Sequence, residues 1–154
     1  YQEIANKINE MIPAEWEQVY TMAYINEESE EVFFNYTTPG SNDLHYYTAI
    51  PEDYSVSEKI FDELLDELYE SFEKLRDLFK EENQEPWTSC EFDFTNEGKL
   101  NVSFGYIDWK KSEFGHLARV FYHQYKKSGI LLEKEYAINK VKKVEQFIKE
   151  QEEE

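Results

Sequence analysis

The chain has 154 residues, of which 40% are hydrophobic and 17% aromatic, and a formal net charge of −18. This length suits one domain with a real core, spanning 1–154, and the aromatic content excludes a largely disordered chain. The charge excludes attraction to nucleic acid or an anionic membrane, no apolar run reaches bilayer length, and a lone cysteine, Cys90, excludes an internal disulfide framework. Without a basic-then-apolar leader at the start, a cytoplasmic protein is expected. The charge is uneven: residues 1–54 hold 11 acids and one base, residues 55–85 hold 11 acids and 4 bases, and the remainder holds 12 and 11. Such a surface attracts a basic protein, although plain solubility also accounts for it.

Ile4, Ile8, Met11 and Ile12 recur at helical spacing before Pro13 and predict a short first helix over 1–12. From Trp16 to Ile25 β-forming residues alternate, giving a strand. The polar stretch Asn26 to Glu30 separates it from a second strand, Glu31 to Thr37, so the two form a hairpin. A third strand is expected from Leu44 to Ile50, stopped by Pro51. Ser55-Val56-Ser57-Glu58 fits a capping box ahead of a long helix. Its apolar stripe is Ile60, Phe61, Leu64, Leu65, Leu68, Phe72, Leu75 and Phe79, and its end is placed near Glu82. Ser89 to Thr95 and the run from Leu100 to Tyr106 flank a turn at Asn96-Glu97-Gly98-Lys99, a second hairpin. Phe114, Leu117, Ala118, Phe121, Tyr122 and Tyr125 mark a third helix stopped by Gly129. Ala137, Val141, Val144 and Ile148 mark a fourth, with 150–154 a frayed acidic tail. The order α-βββ-α-ββ-α-α, with short links between strands, predicts an α+β fold with an antiparallel sheet of about five strands.

Chemistry is sparse in this pattern. His45, His116 and His123 form no HExxH pair and Cys90 has no CxxC partner, so neither a zinc site nor another metal is expected. Cys90 alternates with Phe92 and Phe94 and reads as a core thiol. The scattered glycines exclude a phosphate loop, and the aromatic strands lack the basic stripe of a nucleic-acid binder. No catalytic residue, cofactor or membrane partner is expected; the chain reads as a binder.

Two acidic patches and an aromatic one are candidates for contact with a partner. Asp62, Asp66, Glu70, Glu73 and Asp77 follow spacings of 4, 4, 3 and 4 and line one side of the long helix, where like charges cost roughly 0.2–0.5 kcal/mol per pair. Glu27, Glu28, Glu30 and Glu31 make the turn of the first hairpin acidic. Phe33, Phe34, Tyr36, Tyr46 and Tyr47 put aromatic surface on both faces of the sheet, so the face away from the first helix layer is either covered by a second layer or offered to a partner.

The stretches Ile4 to Ile25 (IANKINEMIPAEWEQVYTMAYI), Glu31 to Leu44 (EVFFNYTTPGSNDL), Tyr46 to Tyr54 (YYTAIPEDY), Leu75 to Phe94 (LRDLFKEENQEPWTSCEFDF) and Val102 to Trp109 (VSFGYIDW) resemble the YezG/EsaG immunity proteins of Bacillus and Staphylococcus. Ser112 to Gly115 and the closing helix from Tyr136 to Gln151 fit as well. The resemblance implies an antitoxin that binds the nuclease domain of a toxin exported by type VII secretion; the sequence leaves the oligomeric state open, and a monomer binding one toxin is expected. It brings no catalytic motif. An export partner of a secreted protein is the alternative, followed by an enzyme built from scattered carboxylates. Gly105 and His116 depart from the familiar stretches and are positions where recognition of a toxin variant could change.

Overall fold

Alternating β-formers build the centre of the fold. The computed structural model describes residues 1–129 and 135–152, and the chain divides into two units, Tyr1–Tyr106 and Ile107–Glu154. The first unit opens with helix α1 (Gln2–Met11) and the hairpin β1 (Gln18–Ile25) and β2 (Glu30–Thr37). There follow a two-residue strand β3 (His45–Tyr46), a short helix α2 (Ile50–Asp53) and the long helix α3 (Glu58–Glu81). The hairpin β4 (Ser89–Thr95) and β5 (Leu100–Gly105) closes the unit. The second unit holds α4 (His116–Ser128) and α5 (Glu135–Glu152).

The five strands form one antiparallel sheet in the order β3-β2-β1-β4-β5. The α+β class read from the sequence is therefore present, with β1 in the middle. Register aligns Val19 with Tyr36 and Phe94, Thr21 with Phe34 and Phe92, and Ala23 with Val32 and Cys90. Because successive side chains alternate in direction, these residues share one face. They form the core with Ile4, Ile8 and Met11 of α1 and Phe61, Leu68 and Phe72 of α3. Phe72 meets Phe92 edge-on at 6.0 Å, and Trp16 meets Phe94 at 5.1 Å, arrangements worth roughly 0.5–1.5 kcal/mol beyond burial. Helices α1 and α3 are also clasped by the Lys7–Glu67 ion pair and by Lys74–Glu3 at 3.7 Å. On the opposite face Phe33 is fully buried, with Tyr24 stacked on it at 6.1 Å.

Three local expectations need correction. The third strand does not run from Leu44 to Ile50: only His45 and Tyr46 pair, and Tyr47–Ala49 turns into a 3-10 helix leading to α2. Tyr47 swings in against Phe34 at 5.4 Å and Phe61 at 6.5 Å, and Pro51 sits in the first turn of α2, where its missing N–H is harmless. The cap of α3 is Ser57, whose hydroxyl accepts from the Ile60 N–H at 3.4 Å. Ser55, two residues earlier, has φ of 54° and lies outside the helix. Ile60, placed on the apolar stripe, is 55% exposed because the neighbouring Phe61 takes the inward position.

In the second unit Phe147 lies 5.4 Å from both Trp109 and Phe114, and Ala118 and Val144 are buried beside them. Arg119 Nη1 donates to the Phe114 carbonyl at 2.8 Å, fixing the entry to α4. Gly129 ends α4 with φ of 72° and donates to the Tyr125 carbonyl at 2.7 Å, a left-handed cap that glycine adopts without penalty. Residues 150–152, expected to fray, belong to α5, whereas 153–154 lie outside the described residues.

Candidate protein-binding surface

The outer side of α3 follows from its helical repeat: with Phe61, Leu68 and Phe72 turned inward, Asp62, Asp66, Glu70 and Asp77 are exposed and Glu73 is half-buried. Among the described residues no cation pairs with Asp62, Asp66, Glu70 or Asp77. Two of the helix's three lysines are engaged elsewhere, Lys74 with Glu3 and Lys80 with Glu27 at 3.3 Å. These four carboxylates therefore face water.

The acidic turn of the first hairpin sits against the same helix. Asn26 shapes it: its Oδ1 accepts from the N–H groups of Glu28 and Ser29 at 2.8 and 2.9 Å, and its backbone N–H donates to the Ser29 carbonyl at 2.9 Å. Glu27 is thereby carried to Arg76, with Oε1 accepting from Nη1 at 3.2 Å. The hydrogen bond from Lys80, then that from Arg76, lowers the Glu27 pKa. Arg76 is buried and its Nε donates to the Trp87 carbonyl at 2.8 Å. Glu30 meets Glu73 on α3 through a carboxyl hydrogen bond. That bond, followed by burial and the charges of Glu73 and Asp66, raises Glu30 to about 7.

Turn and helix, separate candidates in the sequence, are thus joined at two points and form one acidic surface. Glu28 is exposed on the turn and Glu31 is half-buried at the start of β2. The aromatic candidates lie apart from them in role. Tyr36 is fully buried, its hydroxyl 3.3 Å from that of Tyr54 and its ring stacked on His45 at 5.3 Å, so it is core and offers no surface. Tyr46 and Tyr47 are half-buried and meet edge-on at 4.9 Å, and burial raises both phenols.

Sequence reasoning missed Arg76, Asn26 and Tyr69, whose hydroxyl accepts from the Val32 N–H at 3.3 Å. Arg76 carried a signal, since it continues the inward line of Leu68 and Phe72 at four-residue spacing. Cys90 is fully buried, and desolvation, aided by Glu91 and Asp93, pushes its thiol up to about 12. At that value it is a thiol and a poor nucleophile. No helix among the described residues is long and apolar enough to cross a membrane.

An antiparallel α+β unit that presents a joined acidic surface is suited to binding a basic protein. The particular kind of protein is fixed by comparison: residues 1–142 match the family described as immunity protein YezG-like, and the chain belongs to that family. It is 65% identical over 153 residues to the type VII secretion system protein EsaG of Staphylococcus aureus, covering 99% of this chain and 94% of that protein. It is 44% identical to immunity protein YezG of Bacillus spizizenii, covering 85% of this chain and 81% of that protein. To immunity protein YezG of Bacillus subtilis it is 37% identical, with 88% and 89% covered. A family of immunity proteins implies a toxin as partner and a role in binding.

Proposed function

We propose that this protein is an antitoxin that neutralises the nuclease domain of a toxin exported by type VII secretion, binding it one to one through the acidic surface of α3 and the β1–β2 turn. The observation that carries the reading is the set Asp62, Asp66, Glu70 and Asp77, exposed and, among the described residues, without a cation partner. Unpaired carboxylates leave a helix less stable than a mixed surface would. They suit a nuclease, whose substrate groove is basic because it must hold phosphates. Family membership and the name of the staphylococcal relative support the toxin and its route.

Long-range attraction between opposite charges speeds encounter and is screened beyond roughly 10 Å at 0.1 M salt. The test replaces Asp62, Asp66, Glu70, Glu73 and Asp77 by Asn or Gln and measures association with the nuclease domain across salt concentrations. Slower, less salt-sensitive association with unchanged folding is the expected result. A variant that associates as fast as the parent at low salt and still blocks cleavage of DNA removes α3 from the interface.

A further inference from the structure

The sheet has two edges, and they are finished differently. At one, β3 pairs with Asn35 and Tyr36, and the outward N–H of Val32 donates to the Tyr69 hydroxyl. At the other, β5 pairs with β4 and, among the described residues, with no further strand. The Thr95 N–H donates to the Lys99 carbonyl at 2.9 Å, which makes Thr95 and Lys99 a hydrogen-bonded pair. Such pairs alternate along an antiparallel ladder. The register therefore turns the N–H and C=O groups of Asn101, Ser103 and Gly105 toward β4, and those of Leu100, Val102 and Phe104 outward. Among the described residues nothing hydrogen-bonds to these outward groups.

Free edges in monomeric proteins are usually blunted by a lysine, a proline or a bulge. Residues 100–105 read Leu-Asn-Val-Ser-Phe-Gly, with neither charge nor proline. Large apolar side chains border the strand. Leu100 is 45% and Tyr106 49% exposed. Leu78 is 52% exposed and directly precedes Phe79, whose ring meets Phe104 edge-on at 4.8 Å.

We infer that β5 is a docking strand, to which an extended, positively charged segment of another protein adds as a sixth strand. Charge selects the occupant. A second copy of this chain carries the same net −18 over its whole length, and two such molecules repel. Near Phe104 the end of α3 and the segment after it expose Glu81, Glu82 and Glu85. A segment alternating basic with β-branched residues pairs its backbone with Val102 and Phe104, rests its apolar side chains on Leu100 and Leu78, and sends its cations to these acids. The residues involved are distinct from those of the acidic turn and outer face of α3, so the inference stands apart from the nuclease assignment.

The probe is a synthetic ten-residue peptide of alternating lysine and valine, compared with a twin N-methylated on the backbone of alternate residues. Binding and residue-resolved hydrogen exchange are followed by NMR. The parent peptide is expected to slow exchange of the Val102 and Phe104 amides about tenfold at saturation, because a strand hydrogen bond then covers them. The N-methylated twin, unable to complete the ladder, is expected to bind about tenfold more weakly. Val102→Pro removes an N–H that the β4–β5 ladder does not use and is expected to weaken binding of the parent peptide. Ser103→Lys leaves the backbone intact and places a repelling cation on an exposed position, with the same expectation. No binding up to millimolar peptide, equal binding of the N-methylated twin, or unchanged exchange at Val102 and Phe104 would each overturn the inference. A concentration-dependent dimer of the free protein that Ser103→Lys and Val102→Pro both abolish would overturn it in favour of a second copy.

Discussion

The two edges of the sheet differ in what lies beyond the last hydrogen bond. On the β2 side the polypeptide supplies its own cover: β3 takes up Asn35 and Tyr36, Tyr69 satisfies Val32, and Tyr47 packs between Phe34 and Phe61. On the β5 side the same helix, α3, arrives with Phe79 against Phe104 but leaves Leu100 exposed, and among the described residues no hydrogen bond reaches the outward backbone. Sealing an edge therefore takes particular side chains from particular elements, and among the described residues these are found on the β2 side.

The largest test of that contrast is side-chain truncation. Phe34→Ala, on the sealed side and fully buried, is expected to cost about 3–5 kcal/mol in urea unfolding, while exposed Leu100→Ala stays within about 1 kcal/mol. Equal costs would mean that the open edge is packed as tightly as the sealed one. Next comes Arg76→Leu, which strips the buried Trp87 carbonyl and Glu27 of their shared donor. A loss of about 1.5–3 kcal/mol is expected, with faster amide exchange in the β1–β2 turn. Tyr69→Phe leaves the Val32 N–H without its acceptor and should cost about 0.5–1.5 kcal/mol. In the same variant Val32 exchange should rise toward the rate of Val102, making the two edges alike at that residue.

The smallest expected effect is a pH dependence. Glu30 has a folded pKa of about 7 against an ordinary 4.5, so the folded protein holds this proton more tightly than the unfolded chain does. The stabilisation is complete below about pH 4.5, declines as pH rises to about 7 and is gone above it. Glu27 runs the other way, its depressed pKa adding stability above its ordinary value that is lost in acid. Glu73→Gln replaces the carboxylate neighbour that raises Glu30 with a neutral group. Thermal melts at pH 5 and pH 8 are expected to lie closer together in this variant than in the parent. An unchanged gap between the two melts would show that the Glu30–Glu73 contact is not present in solution.

Much of this arrangement was legible in the sequence where the cause is local. The β4–β5 hairpin was bounded at Ser89, Thr95 and Leu100 because alternation and a glycine-containing turn act over a few residues. Helix α3 was legible because its stripe repeats for 24 residues. The third strand was not, since Leu44–Ile50 has β-forming residues but a neighbour to pair with for only two of them, and the pull of Phe34 and Phe61 on Tyr47 is tertiary. The choice of Ser57 over Ser55 as cap turned on a backbone angle that either serine could adopt. For the acidic surface, composition and helical spacing gave the α3 residues. The meeting of Glu30 with Glu73 joins parts of the chain far apart in sequence, and Arg76, which holds the turn to the helix, was hidden among the charges of α3. Tyr36 sat in a strand whose two faces both carry aromatics, so alternation alone did not tell which of them would be core.

The bare outer face of α3 has a consequence for how such a protein diverges. Substitutions at exposed positions without partners usually change stability by less than about 0.5 kcal/mol, so Asp62, Asp66, Glu70 and Asp77 can be exchanged, one at a time or together, with little demand on folding. Glu27 and Glu73 are less free, because each is engaged across the turn by Arg76 or by Glu30. If α3 is the toxin-binding surface proposed above, a lineage confronted with altered toxins rewrites its recognition code along one side of a helix while the clasp beneath it stays as it is, separating the alphabet that varies from the hinge that holds the page.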